Sequence, residues 1–404
     1  MKIGLFLSLI PALALAQPIA VRGELVHTMA GPPIRDGVVI VNGGRIERVG
    51  PAASTPVPAG ARILRAKVVT PGLVDAHSTV GLSGALNQPH DQDQVERSAP
   101  VQPELRAIDA YNARDPLVPW LRSFGITTIH TGHGPGALIS GQTMVAKTTG
   151  TTVEADTLKP AAMVAASLGD AGRAEGGKSP GSRAKMIAML RTEFLKAQEH
   201  AGKLAKVERG AEKDKVPPRD LHLEALVQVL KGELPLLVTV HRAHDILSAI
   251  RLGKEFQLRL VLDGVAEAPS VLEEIKASGY PVFVHPSMAR PNGDAEALSL
   301  ETASKLRAAG VPFAIQSGFE GYVPKTRVIL FEAALAAANG LTPDEALAAI
   351  TIEPAKLLGL DGRIGSLAPG KDADIALYDG DPLEYTSHCT GVLIGGKLVS
   401  EMPR

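Results

Sequence analysis

The sequence predicts an α/β protein in which a long middle of alternating strands and helices is flanked by two β-rich ends. Three observations carry this. From Pro71 to about Gly359, short β-like apolar runs alternate with longer runs at helical spacing. The stretches Ile19 to Val69 and Gly362 to Val399 share another texture, short β-like runs divided by turn residues. No glycine-rich dinucleotide fingerprint follows any strand, which removes the usual reason for an open nucleotide-binding sheet.

At the start, Lys2, the apolar run Ile3 to Leu15 and Ala14-Leu15-Ala16 before Gln17 read as a signal peptide over residues 1–16. The run is short for a membrane span and Pro11 interrupts it, so cleavage is favoured over anchoring. The expected location is periplasmic or secreted, with no membrane span after cleavage. Residues 17–70 begin the β-rich part. Gly37 to Asn42 and Arg45 to Val49 form a hairpin around Asn-Gly-Gly. Residues 361–404 complete it, with strands at Asp374 to Tyr378, Val392 to Ile394 and Lys397 to Val399, so both ends are expected to combine into one small β-sandwich.

Between them, residues 71–360 read as strands at Ile126 to His130, Leu236 to Val240, Leu258 to Leu262, Pro281 to Val284 and Pro312 to Ile315. Helices are predicted at Arg183 to Ala205, Asp245 to Phe256, Val271 to Ala277, Leu298 to Ala309 and Arg327 to Ala338. Met186, Met189, Leu190, Phe194 and Leu195 give the first of these its helical spacing. Strand followed by helix, repeated, implies a parallel sheet with helical crossovers. The region is long enough for a closed eight-fold barrel, with its site at the C-terminal strand ends. An open doubly wound sheet stays as the alternative, because periodicity does not exclude it.

Composition excludes some classes of function. Lys+Arg total 42 against Asp+Glu 43, and aromatics are 3%, so neither electrostatics nor stacking surfaces point to nucleic acid. Cys389 is the sole cysteine, so no internal disulfide forms and stability rests on packing.

Three segments resemble the amidohydrolase superfamily, nearest its imidazolonepropionase-like branch. They are Val69-Thr70-Pro71-Gly72-Leu73-Val74-Asp75-Ala76-His77, the helix-like run Ala346 to Leu360, and Arg363-Ile364-Gly365-Ser366-Leu367-Ala368-Pro369-Gly370-Lys371-Asp372-Ala373-Asp374. The resemblance implies a (β/α)8 TIM-like barrel with a small composite β-sandwich from the two termini. It also implies one or two divalent metals, held by two His on strand one, a Lys or Glu on strand four, His on strands five and six, and Asp on strand eight.

At those positions the chain departs from the pattern. Strand one reads His77-Ser78-Thr79, with Thr79 for the second His. Strand five places Thr239 at the ligand position, and a two-residue shift would make His241 the ligand. Gly264 stands for the strand-six His, and Gly318, after Gln316-Ser317, for the strand-eight Asp. Near Met163 no Lys or Glu falls in register; Lys159 lies upstream. Metal candidates are therefore His77 and His241, for zinc or another divalent ion in a rebuilt centre. With Thr79, Thr239, Gly264, Gln316 and Gly318, the strand-end residues His130, His133, His244 and His285 are expected around the mouth, and Asp91 and Asp93 could reach over it.

A catalytic zinc site needs about three protein ligands and a water. The expectation is thus a protein that has lost the metal-dependent hydrolysis. It would act as a binding or assembly subunit, as a homo-oligomer or paired with an active paralogue, and could take a small polar ligand. The alternative is an exported hydrolase of cyclic amides or small peptides with a rebuilt site.

Overall fold

The computed structural model describes residues 17–86, 88–173, 180–209, 216–319 and 328–401. The N-terminal apolar run lies outside them, as do residues 210–215 of the charge-dense stretch.

Both ends of the chain contribute to one seven-stranded sheet. Its order is Lys397–Ser400, Cys389–Ile394, Ile375–Tyr378, Arg62–Pro71, Ile19–Val26, Ile34–Asn42 and Arg45–Pro51. The hairpin predicted around Asn42-Gly43-Gly44 forms, with φ of 56° and 81° at the two glycines, as a two-residue hairpin turn requires. The sheet curls until its two outer hairpin turns touch: a Cβ on Gly44 would lie 2.9 Å from the Gly395 carbonyl oxygen. Buried Val21, Val39, Val41, Ile46, Ile375 and Leu393 pack inside the curl.

The middle of the chain forms the barrel. Seven strands run parallel around it: Leu73–Ser78, Ile126–Thr131, Val164–Ser167, Leu236–Val240, Leu260–Gly264, Val282–Val284 and Phe313–Ile315. The remaining stave is antiparallel. Ile139–Gln142 pairs with Val164–Ser167, and Met144–Lys147, one residue further on, pairs with Ile126–Thr131. The eightfold strand–helix alternation therefore fails here, for a geometric reason. The chain returns from Thr131 to Ile139 through a short loop, and a short return can only give an antiparallel neighbour. Ser78 bridges Gly318 in parallel, and the Gly318 N–H donates to the His77 carbonyl at 3.1 Å, joining the last strand to the first.

Helices cover the outside as the periodicity predicts, with shifted ends. Arg183–Glu208 buries Met186, Leu190, Phe194 and Ala197, whereas Leu195 is exposed. Ala243–Glu255, Leu272–Ser278 and Ile329–Ala338 each lie within about two residues of expectation. Thr302–Ala309 starts four residues later than predicted. The run Ala346 to Leu360 is two helices, Pro343–Ala348 and Ile352–Leu357, broken at Thr351 (φ −137°, ψ −87°).

Inside the barrel the side chains stack in layers. At the N-terminal ends of the strands, Val74, Val145, Met163, Leu237, Val261, Phe283 and Ala314 form an apolar floor, one residue from or beside each stave except Ile126–Thr131, plugged by Leu358, Leu360 and Ile364. Each fully buried aliphatic chain of this kind contributes about 1.5–3 kcal/mol. Period-two alternation then brings polar residues inward one layer above: Thr239 follows Leu237, Asp263 follows Val261, and Gln316 follows Ala314.

Candidate functional site

Above the floor lies a cavity of about 490 Å3 at the C-terminal strand ends. Its base is a buried polar layer centred on Asp263. The Asp263 carboxylate accepts from Gln316 Nε2 at 2.6 Å and from Thr239 Oγ1 at 2.6 Å, and pairs with His77 Nδ1 at 3.3 Å. His77 and Asp263 are each 3% exposed. Burial works against the charge on Asp263, but the His77 charge and these hydrogen bonds outweigh it, so its pKa lies below the usual carboxylate value. Burial likewise pulls His77 down, and the charge and bond of Asp263, with Asp75 behind, overcome it and hold the imidazole above its ordinary value. Each member of the pair thus favours the charged form of the other.

Asp75 braces the seam between the first and last strands. It accepts from the Ser317 N–H at 3.0 Å and the Ser317 hydroxyl at 2.5 Å. Burial pushes its pKa up to about 6 despite those bonds.

The upper wall carries His241 and His285, and the segment after Val282–Val284 supplies Arg290 and Asn292. His285 is satisfied: Nδ1 contacts the Pro286 carbonyl at 3.1 Å and Nε2 the Thr302 hydroxyl at 3.1 Å. That segment is pinned to the rim through Asp294, which accepts from Arg183 at 2.9 Å, Arg242 at 2.8 Å and the Asp170 N–H at 2.6 Å.

Of the residues expected at the mouth, His77, Thr239, His241, Gly264, His285, Gln316 and Gly318 line this cavity. Four do not. His130 is buried inside the barrel, its ring 5.6 Å from that of His77 and 5.9 Å from that of Phe283, with Nδ1 on the Ala76 carbonyl and Nε2 on the Thr143 hydroxyl, both at 2.6 Å. His133 is buried against Gly141, and Thr79 is buried beside Gly134. His244 is an exposed residue in the first turn of Ala243–Glu255, 3.5 Å from Asp245. Thr79, His133 and His244 miss the cavity because each lies past a strand end, in a loop or helix where alternation no longer fixes direction, whereas His130 lies within the strand Ile126–Thr131 and is held below the cavity by its two hydrogen bonds. Asp91 is held within its own loop, accepting from the Leu86 N–H at 2.7 Å, and neither it nor Asp93 lines the cavity. Asp263, the centre of the site, was not among the expected residues. An acid on an otherwise apolar, buried strand, two residues after an inward Val261, was the signal that marked it.

The metal implied by the resemblance does not fit these residues. Thr239 donates its hydroxyl to Asp263, so it offers no ligand. Lys159 Nζ donates to the Leu358 carbonyl at 2.5 Å among the floor-plugging residues, away from the mouth. A Cβ on Gly264 would lie 2.6 Å from His241 Cε1, so the His241 ring fills the room of a strand-six ligand. Among the described residues, no three His, Cys, Asp or Glu side chains group to hold an ion.

These imidazoles set a pH response. Burial holds His130 down to about 3 and His133 and His285 each down to about 4, against an ordinary 6.5. Between those values the unfolded chain binds more protons than the folded one, so their stability contribution is present above pH 6.5 and lost as pH falls. Asp75 opposes them: its folded form keeps a proton up to about 6, so its contribution is lost as pH rises from 3.8. His77, held above its ordinary value by Asp263, opposes them as well, its contribution being present below pH 6.5 and lost as pH rises. His133 has neither ring nitrogen partnered. We expect His133→Leu to match the parent or exceed it at pH 7.5, and to gain about 2 kcal/mol more between pH 6.5 and 5. Denaturant unfolding at the three pH values measures this, and a pH-independent difference would refute it.

Comparison with known proteins places the chain. The amidohydrolase family model matches residues 293–400. The imidazolonepropionase of Rhizorhabdus wittichii is 27% identical over 386 residues, 89% of this chain and 92% of that protein. The amidohydrolase tasK of Hapsidospora irregularis is 27% identical over 91% of this chain, which spans only 40% of that protein's length. The crystal structure of an amidohydrolase from Thermotoga maritima superposes with a TM-score of 0.89 at 29% identity, covering 95% of this chain and all of that one. With the barrel and the small composite β-sandwich, these likenesses support the amidohydrolase superfamily. The similarity to imidazolonepropionases supports that branch within it.

Proposed function

We propose that this chain is a non-hydrolytic member of its branch that binds a small polar ligand in the barrel mouth. One observation carries the reading. The layer where the family would assemble its metal is closed on itself, with Asp263 joined to His77, Thr239 and Gln316. Thr239 and Gly264 cannot coordinate, and Gly318 offers no carboxylate to act as base on a water. Export to the periplasm or beyond the cell is part of the proposal and rests on Lys2, the apolar run and Ala14-Leu15-Ala16.

A second reading, hydrolysis of cyclic amides or small peptides on a rebuilt centre, draws on one feature. His77 has Nδ1 on a carboxylate and Nε2 without a partner, which is how metal-bound imidazoles are held. Elemental analysis separates the two. The mature protein should carry far less than stoichiometric zinc, manganese or nickel, and added zinc should leave its melting temperature unchanged. Stoichiometric metal that disappears in His77→Ala would restore the hydrolase.

A further inference from the structure

A second cavity, of about 340 Å3, lies between the helices Arg183–Glu208 and Ala243–Glu255 and shares no lining residue with the mouth. Leu168 and Met186, both buried, and half-buried Ile187 supply its apolar lining. Three guanidiniums, of Arg183, Arg191 and Arg251, line it against one carboxylate, that of Asp245.

The nearby acids are already matched. Asp245 is clasped by Arg183, whose Nε lies 3.0 and 2.8 Å from its two oxygens. Glu255 stands four residues beyond Arg251, where a helix usually pairs opposite charges. It is instead held across the helix pair by Arg191, with Nε 2.9 Å from both oxygens and Nη2 2.9 Å from one. Arg251 is left with a single hydrogen bond, from Nη2 to the neutral Ser248 hydroxyl at 2.7 Å. That hydroxyl, also on the cavity lining, is fixed in turn by donating to the His244 carbonyl at 2.8 Å. Among the described residues Arg251 has no carboxylate partner. With Asp245 and Glu255 each spent on one arginine, the cavity keeps one guanidinium too many, and an anion entering it completes the pairing.

Arginine forks accept carboxylates and phosphates alike, and the lining favours phosphate. Its open donors stand on two different helices: Arg191 keeps Nη1, and Arg251 keeps Nε and Nη1. A tetrahedral group has oxygens for both sides, whereas a planar carboxylate is used up by one fork. We propose that this cavity is a second ligand site, for a small phosphate monoester with an apolar body. The phosphate sits between Arg251 and Arg191, and the body lies against Leu168, Met186 and Ile187. The site stands apart from whatever the mouth binds, since no side chain serves both cavities.

Titration calorimetry of the mature protein at fixed ionic strength tests this, with phenyl phosphate as the probe and inorganic phosphate and benzoate as comparisons. Phenyl phosphate should bind at one site, about tenfold or more tighter than benzoate, which offers a single planar fork. It should also bind tighter than inorganic phosphate, which has no ring to bury. Arg251→Gln should weaken phenyl phosphate about tenfold or more, and because Arg251 is exposed this change leaves the core intact. Lys254→Gln removes the same charge from the same helix outside the cavity, and should leave the affinity within about twofold. No heat at millimolar concentration, unchanged affinity in Arg251→Gln, equal losses in the two variants, or benzoate binding as tightly as phenyl phosphate would each overturn the proposal.

Discussion

Replacing Asp263 with alanine is expected to destabilise the protein by about 3–5 kcal/mol, the cost of breaking a buried ion pair by removing one partner. The size follows from what is left behind. His77 would lose the carboxylate that raises its pKa, and Gln316 and Thr239 would each lose an acceptor at 2.6 Å. Removing both partners should be milder than the two single losses added together, because Asp263→Ala with His77→Ala leaves no buried charge unpaired. Urea unfolding of the parent, both singles and the double measures the coupling. Additive losses would show that the pair does not act as a unit, and the account of the site built on it would fall.

The same layer shows where sequence reasoning reached and where it stopped. The hairpin at Gly43-Gly44 was legible because only left-handed backbone fits there, and two adjacent glycines announce it. Strands Leu236–Val240 and Phe313–Ile315 were legible as apolar runs between helices. The antiparallel stave was not: Ile139–Lys147 mixes Ser140, Gly141, Gln142 and Thr143 with apolar residues, so neither period stands out. The break at Thr351 had a visible cue in Pro354, whose missing N–H and ring favour the first turn of a new helix over the interior of a long one.

At the site, comparison with the family's ligand pattern directed attention to what is missing at Gly264 and Gly318. The neighbouring Asp263 had come inward on simple alternation. The segment Pro286 to Leu298, which walls the cavity, was not legible because its placement depends on Asp294 meeting Arg183 and Arg242, residues 111 and 52 positions away in the chain.

Restoring one family ligand should therefore fail, and the reason is steric before it is chemical. Gly264 has φ of +87°, a conformation that costs any other residue about 1–3 kcal/mol. Its Cβ would also meet the His241 ring at 2.6 Å, so a histidine at 264 must expel the residue that fills its place. Gly318 repeats the problem, with φ of +69° and a Cβ 2.7 Å from Pro286 Cγ. We expect Gly264→His to lower the melting temperature markedly and to bind no zinc. Adding His241→Ala should recover part of the loss by clearing the ring, yet still bind no zinc, because His77 and the new imidazole make only two ligands where about three are needed. Mass spectrometry for metal, alongside thermal unfolding of both variants, decides it. Stoichiometric zinc in the single variant at unchanged stability would mean that the mouth still keeps room for the ion. The replacements at 239, 264 and 318 would then be scattered losses within an otherwise standing metal site. The expected result, a penalty relieved by the second change, would mean that His241 and Gly264 are fitted to each other, and that the barrel has been repacked around a different use.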